Sequence, residues 1–538
     1  MFQVVALAVV FVLCGARTAP AAAPREAPEP SLPGGSNNPA DDVEMMGQRK
    51  FGALTAAERK MLRSVPYRDI QWVGPDSNPD NPANDASHGD KWGPERTIRA
   101  AVIEWLLVDP RVVQLAHPSG IGVVGARIDG KIDLSYLRVP KPLTLVRCYL
   151  PDGVDISNAH LDSIALRKST VGPIDGDMST ASGDVTLSYG TFGTVSFFRA
   201  QIGGDLDCRG SRFSASGQNT VSAMEANIGG DAVFYDGFTT DGIVDFRLAK
   251  IGRSLGFNDA HFIGSSDNGL NAERATVGGP LYWVEVRGTP RTLLDLENAH
   301  AGSLWDDEAS WPSKGNLIIE GFTYDDFSGG PADAAGRLKW LALQPPGYHP
   351  RPYRQVAKVL LDDGREYEAS TVSIAKEEQH REFGGMNRFR RAWNFMLDVT
   401  IGYGHRPLRA LWWIFGFVVL GAALFRWGYH ARIVTPTDEA AYQVFVKTGA
   451  APPHYPPFNA VVYSLENFLP VVDLNQGNYW RPNPRHRRGG ELHMAGASLD
   501  PAAVPGTLLR WYLWIHILAG WTLTPLLFAG LSGIVRMD

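Results

Sequence analysis

Between about residues 120 and 320, apolar and polar positions follow a short repeating unit, small-x-apolar-Gly-Gly-x-apolar. It reads Ala200-Gln-Ile202-Gly-Gly-Asp-Leu206, Ala226-Asn-Ile228-Gly-Gly-Asp-Ala232 and Ala249-Lys-Ile251-Gly-Arg-Ser-Leu255. It continues as Ala275-Thr-Val277-Gly-Gly-Pro-Leu281 and Ala299-His-Ala301-Gly-Ser-Leu304. Half-units fall between them at Ser211-Arg-Phe213, Gly237-Phe238 and Ala260-His-Phe262, and weaker copies precede them at Ala126-Arg-Ile128-Asp-Gly-Lys-Ile132 and Ala159-His-Leu161. Copies that recur every 23 to 26 residues are too short for helix pairs, and a fixed period of this kind marks a solenoid. The expected fold is mostly β: a right-handed β-helix-like solenoid over 120–330. Its stacked coils should bring Ile202, Ile228, Ile251 and Val277 into one interior ladder, with a small Ala two positions earlier where space is tight. Glycine is expected at the corners, in turn conformations that other residues resist.

The rhythm changes on either side. Pro94 to Pro110 encloses ERTIRAAVIEWLLVD, whose Ile98, Val102, Trp105 and Val108 share one helical face, so 94–119 reads as a helical cap. After the repeats, 335–400 turns helical. Pro352–Leu361 and Tyr367–Gln379 form a hairpin broken at Gly364, followed by the basic amphipathic stretch Arg388–Leu397 with Phe389, Trp393, Met396 and Leu397 facing one way. The remainder, 401–538, carries two apolar runs, 408–427 and 508–534, each long enough to cross a bilayer and each with Trp near an end: Trp412, Trp413, Trp427 and Trp511. Flanking arginines (Arg409, Arg426, Arg510, Arg536) favour lipid over the core of a soluble protein. At the other end, residues 2–14 form a short apolar run before Thr18-Ala-Pro-Ala-Ala-Ala23, which reads as a signal peptide over 1–23, although no Lys or Arg precedes it. Residues 24–93 read as an N-terminal segment of linker character, with polar stretches at 24–50 and Pro75–Gly93.

Composition narrows the functions. With 51 basic and 57 acidic residues the net charge is −6, which argues against nucleic acid as a partner. Of three cysteines (Cys14, Cys148, Cys208), one lies in the leader, so at most one disulfide remains. C-x-x-C, H-E-x-x-H and G-x-S-x-G are all missing from the chain, and no catalytic residue, metal ligand or cofactor is expected.

Several stretches together resemble a bacterial family of repeat-bearing membrane proteins allied to pentapeptide-repeat proteins: Gly125-Ala-Arg-Ile-Asp-Gly-Lys-Ile-Asp-Leu134, the Ile-Gly-Gly-Asp units, Pro352-Tyr-Arg-Gln-Val-Ala357, Ile401-Gly-Tyr-Gly-His-Arg-Pro-Leu-Arg-Ala410 and Tyr463-Ser-Leu-Glu-Asn-Phe-Leu-Pro-Val-Val-Asp473. The resemblance covers most of the chain from about 95 onward. It implies a pentapeptide-repeat-like solenoid on a membrane module. Members are often described as membrane-associated oxidoreductases, a description that brings no catalytic residues with it.

Other motifs in the chain suggest chemistry that their context does not support. Gly120-Ile-Gly-Val-Val-Gly125 spells a dinucleotide fingerprint but leads into a repeat rather than a helix, and no acidic residue follows at ribose distance. Thr400-Ile-Gly-Tyr-Gly404 looks like a potassium filter but precedes both apolar runs, which suits a flexible turn better. Between the runs, 458–473 places Phe458, Val462, Leu465 and Leu469 on one face and is too short to cross. It reads as an amphipathic helix on the membrane or, second, as a re-entrant pore helix. In the latter case Glu466, Asp473, Asn475 and Gln476 would line a polar constriction in an oligomer, with the two carboxylates favouring cations. His516 is an ionisable residue inside the second run, expected near the headgroups because Arg510 is so close. His160, His261 and His300 are expected to point outward, and Asp306-Asp307-Glu308 and Asp325-Asp326 to be solvated loop acids.

The functional expectation is a binding or scaffold module at a bacterial inner membrane, with an unknown protein or envelope ligand on the solenoid and possible self-association through the apolar helices. A pore is second and an enzyme third. A cleaved leader would put the solenoid in the periplasm, whereas the arginines near the runs (Arg388, Arg390, Arg391, Arg406, Arg409 and Arg536 against Arg426, Arg432 and Arg510) favour the cytoplasm.

Overall fold

The structure is a computed structural model and describes residues 38–68, 70–78, 81–215, 219–264, 268–288, 290–483 and 504–532. The expected leader, Arg536 and Asp538 lie outside the described residues. The repeats wind into a parallel β-solenoid of about nine coils. One wall is a nine-stranded sheet running from Ile132–Asp133 to Leu317–Ile318, and another is an eight-stranded sheet from Thr97–Arg99 to His261–Phe262. The third wall takes two short strands from many coils, such as Gln201–Ile202 and Leu206–Asp207, bent between them at Gly203-Gly204. At about 4.8 Å per coil the stack rises roughly 40 Å.

Register follows the repeat. Ile202 pairs with Ile228, Ile228 with Ile251, and Ile251 with Val277, all buried. The preceding alanines (Ala200, Ala226, Ala249, Ala275, Ala299) are buried beside them. Ring stacks run up the same interior: Phe192 on Phe213 at 5.1 Å, then Phe234 on Phe257 at 4.9 Å.

The glycines work differently from expectation. Left-handed corners are taken mostly by other residues, including Asn158, Arg199, Glu225, Leu248, Arg274 and Asn298, with φ between 54° and 60°. Each is held by its neighbour coil; Glu225 N–H, for example, donates to the Arg247 carbonyl at 2.8 Å. The Gly-Gly pairs instead allow coils to touch. A Cβ on Gly229 would lie 2.4 Å from the Gly203 carbonyl oxygen, and one on Gly252 would lie 2.3 Å from that of Gly229.

The flanks carry the larger corrections. Helices α1 (Pro39–Phe51) and α2 (Ala56–Ser64) occupy part of the expected linker. Asn38 caps the first, and a reciprocal Thr55–Glu58 box caps the second. The helix expected from Pro94 begins only at α3 (Ala100–Val108), followed by α4 (Pro110–Leu115). Thr97–Arg99 is a strand instead, pairing in parallel with Arg127–Asp129, because the open end of the solenoid offers it a hydrogen-bonding edge. Arg99 holds the buried Glu58 with both Nε (2.7 Å) and Nη2 (2.8 Å). Burial is the largest influence on Glu58 and raises its carboxyl, but Arg99 and two backbone N–H groups outweigh it and leave the group below the ordinary range. Cys148 and Cys208 are both buried free thiols, and burial pushes Cys148 up to about 11.

At the far end, α5 (Ala334–Leu341) closes the last coil. Arg337, fully buried, donates from Nη1 and Nη2 to the two oxygens of Asp306 at 2.8 and 2.9 Å. Trp311 Nε1 donates to the same carboxylate at 2.7 Å, and the guanidinium lies 4.4 Å from the Phe327 ring centroid. Asp306 is therefore no solvated loop acid, and Asp307 caps the turn Glu308–Ser310. The hairpin follows as α6 (Pro350–Asp362) and α7 (Glu366–Phe383), with Gly364 left-handed between them, and then α8 (Arg388–Ile401). In α8 the amphipathic face splits. Leu397 packs with Ile374 of α7, while Phe389 and Trp393 are exposed.

Two helices, α9 (Arg409–His430) and α13 (Val504–Leu531), are long and apolar enough to cross a membrane. Between them lie α10 (Glu439–Thr448), α11 (Ala460–Phe468), α12 (Gln476–Tyr479) and a two-stranded sheet pairing Val434–Pro436 with Trp480–Pro482.

Candidate functional site

The segment between the long helices carries a connected set of polar contacts. Asn459 starts α11 by accepting the N–H groups of Val461 and Val462. The helix then wedges between α9 and α13. Its buried residues are Tyr463, Ser464 and Phe468, not the face expected from periodicity. Tyr463 packs edge-on against Phe425, and Phe468 stacks on Phe417 at 5.8 Å. Ser464 Oγ donates to the Val418 carbonyl at 2.8 Å.

Glycine makes room for this. A Cβ on Gly421 would lie 2.4 Å from Ser464 Oγ, and one on Gly520 would lie 1.6 Å from the Phe468 carbonyl oxygen. Small residues in apolar helices let backbones approach closely. This was the sequence signal for the wedge, and periodicity overlooked it. Gly520→Ala is expected to expel α11 while leaving the solenoid intact. Hydrogen exchange should show lost protection at Val461–Phe468 and unchanged protection at Ile228; unchanged protection at both would refute the packing described.

His516 lies roughly midway along α13 and is fully buried, not near an end. Its Nε2 is 3.0 Å from the Ser464 carbonyl and its Nδ1 is 3.3 Å from the Tyr512 hydroxyl. A neutral imidazole satisfies both, with Nε2–H donating to the carbonyl and the hydroxyl donating to Nδ1. The side chain thus ties α13 to α11.

Glu466 and Gln476 close the return of the chain. The Glu466 carboxylate accepts the N–H of Gln476 at 2.7 Å and of Gly477 at 3.1 Å. Gln476 Oε1 accepts Asn459 N–H at 3.0 Å, and its Nε2 donates to the Pro457 carbonyl. Asp473 is exposed and accepts Asn475 N–H, and Asn475 takes a left-handed φ of 62°. The structure therefore brings Glu466, Gln476 and the Asn475 turn together. It sets both Glu466 oxygens on backbone amides and leaves Asp473 the exposed carboxylate.

The remaining motifs resolve plainly. Gly120–Gly125 contains the strand Ile121–Val124 and leads into another strand. Thr400–Gly404 ends α8 in a tight turn whose Gly402, Tyr403 and Gly404 are all left-handed. Tyr403 is buried, donating to Asn394 Oδ1 at 2.8 Å, so the turn is pinned rather than flexible. His160 and His300 are exposed, and His261 is half-buried beside Asp259. Among the described residues no group of three His, Cys, Asp or Glu side chains is placed to hold a metal ion. Comparison with protein-family models, with curated proteins and with solved structures gives no match.

Proposed function

We propose that the protein is a membrane-anchored binding scaffold in which α9 and α13 cross a bacterial inner membrane and hold the solenoid at its surface. One observation carries this reading. The two long apolar helices leave large apolar side chains uncovered in contiguous faces (Trp412, Phe415, Trp427, Trp511, Leu518, Phe528), while the solenoid that leads into them exposes only scattered ones such as Tyr136 and Leu248. A groove of about 480 Å³ between α8, α9 and α13, lined by Phe395, Met396, Val399, Trp413, Phe417 and Leu518, adds to the surface suited to acyl chains. At 22 residues, α9 is about 33 Å long, enough for a hydrocarbon core of about 30 Å. Handedness is taken as right-handed, the usual sense of parallel β connections. The resemblance to repeat-bearing membrane proteins supports the same reading, and its oxidoreductase description brings no catalytic residues with it.

The specific leader pattern is weighted over the arginine bias, placing the solenoid and the C-terminus in the periplasm. Alkaline phosphatase fused after Asp538 is expected to be active, and a fluorescent reporter fused there dark; the opposite pair would reverse the orientation. Resistance of the protein to carbonate extraction tests the anchor itself, and release into the soluble fraction would end the scaffold-at-membrane reading.

The wedge favours one second reading. A short helix entering between two spanning helices and returning on the side it entered has the layout of a pore module. Because Glu466 holds the returning backbone, Asp473 is the carboxylate available to a permeating cation. Cation flux into proteoliposomes that Asp473→Asn reduces would put the pore ahead of the scaffold.

A further inference from the structure

The outer face of the first coils carries a groove of about 540 Å³, walled by Trp72 and Tyr189 and lined by Arg147, Arg167, Lys168 and Arg209. Its cations come from adjacent rungs. Arg147 and Lys168 occupy equivalent left-handed corners (φ 52° and 51°), fixed by N–H bonds to the Arg167 and Ser188 carbonyls, both 2.8 Å. Arg167 sits in the strand beside them, paired with Val146. Consecutive rungs are about 4.8 Å apart, so three like charges are held close together, an arrangement that is destabilising on its own.

Other arginines of the solenoid, Arg209 of the same groove among them, are paired within the chain. Arg199 pairs with Glu225, Arg209 with Asp207, Arg247 with Asp245, and Arg253 with Asp205, each at 2.7 Å. Among the described residues Arg147, Arg167 and Lys168 have no carboxylate within ion-pair distance. Asp207, which also lines the groove, is paired with Arg209, and Asp85 reaches Arg147 through its field alone, with no ion-pair contact. In a chain with a net charge of −6, this groove thus gathers three cations that have no ion-pair partner beside the paired Arg209.

We propose that this groove binds an acidic oligosaccharide, its carboxylates or phosphates neutralising Arg147, Arg167 and Lys168 while Trp72 and Tyr189 pack on the sugar rings. This rests on the solenoid being a binding module. The volume falls within the range of small-ligand sites and holds a sugar of roughly two or three rings. An extended peptide is disfavoured, because the floor strands Ile121–Val124, Leu143–Val146 and Ile164–Arg167 already pair with one another and offer no free edge. The headgroup of a lipid in the anchoring bilayer is disfavoured too, since α9 and α13 follow the last coil while the groove lies on the first ones.

The test titrates full-length protein in detergent with trigalacturonate, with neutral maltotriose, with inorganic phosphate and with phosphatidylglycerol vesicles. Trigalacturonate should bind, more weakly as salt rises, and maltotriose should not. Arg167→Gln with Lys168→Gln, both on exposed positions, should weaken trigalacturonate binding by about tenfold or more, and Arg212→Gln on another wall should leave it unchanged. Equal affinity in the double variant, or no binding at low salt, overturns the proposal. So does phosphate binding as tightly as trigalacturonate, which would make this a bare anion site, or vesicles competing through the same two residues. Failure here leaves the membrane anchor standing, because carbonate extraction and the Asp538 fusions decide that separately.

Discussion

Arg337→Met is expected to destabilise the solenoid by about 3–5 kcal/mol, the cost of leaving a buried charge without its partner. Asp306 is almost fully buried and has Arg337 as its charged partner, with Trp311 supplying one further N–H. Asp306 also belongs to the strand His300–Asp306 and Arg337 to α5, so the pair fastens the capping helix onto the last coils. Removing the cation forces the carboxylate either to stay charged in a poor solvent or to take up a proton. Replacing both partners with apolar residues of similar volume, Asp306→Leu with Arg337→Met, should recover much of the loss, because no buried charge then remains and only the Trp311 N–H loses its acceptor. Denaturant unfolding followed by circular dichroism measures this. If the double variant is no more stable than the single, the pair is not the reason for the loss.

Gly229→Ala is the second large effect, expected at several kcal/mol because the added methyl meets a backbone carbonyl rather than a movable side chain. Coil spacing is set by the inter-strand hydrogen bonds on either side, such as Gly229 N–H to the Ile202 carbonyl at 2.7 Å, so the stack cannot open locally without breaking them. Leu248→Gly is the contrasting case. Leu248 has a φ of 60° and an exposed side chain, so glycine relieves strain of about 1 kcal/mol while adding a similar unfolded-state entropy. Its melting temperature should stay near that of the wild type. If Leu248→Gly proved strongly stabilising and Gly229→Ala neutral, the account of which positions need glycine would be reversed.

These two positions show how far the repeat could be read. Periodicity located the coils and named the ladder Ile202–Ile228–Ile251–Val277, because burial on one side of each short strand demands an apolar residue at a fixed interval. It misjudged the glycines, since a bare Gly-Gly does not tell a left-handed corner from a close backbone approach. Asp306 reads as a surface acid in the sequence because its partner, Arg337, stands 31 residues away on another element. The long helices were legible from length and apolarity alone. The face that α11 buries was not, because Ser464 and Tyr463 are chosen by what Gly421, Phe425 and His516 present to them. Glu466 is polar in any reading, but its bond to the Gln476 and Gly477 amides depends on where the chain turns back.

The sequence by itself determined a β-solenoid of short coils, two helices apolar and long enough to cross a bilayer, and a short polar-edged segment between them. All three are written in local spacing, which survives without knowing any distant neighbour. Only the tertiary structure decided that Thr97–Arg99 is a strand, that His516 and Ser464 meet between the long helices, and that three cations converge beside Trp72. Those outcomes turn on pairs of residues far apart in the chain, where the free energy of packing and charge outweighs the preference of any one segment.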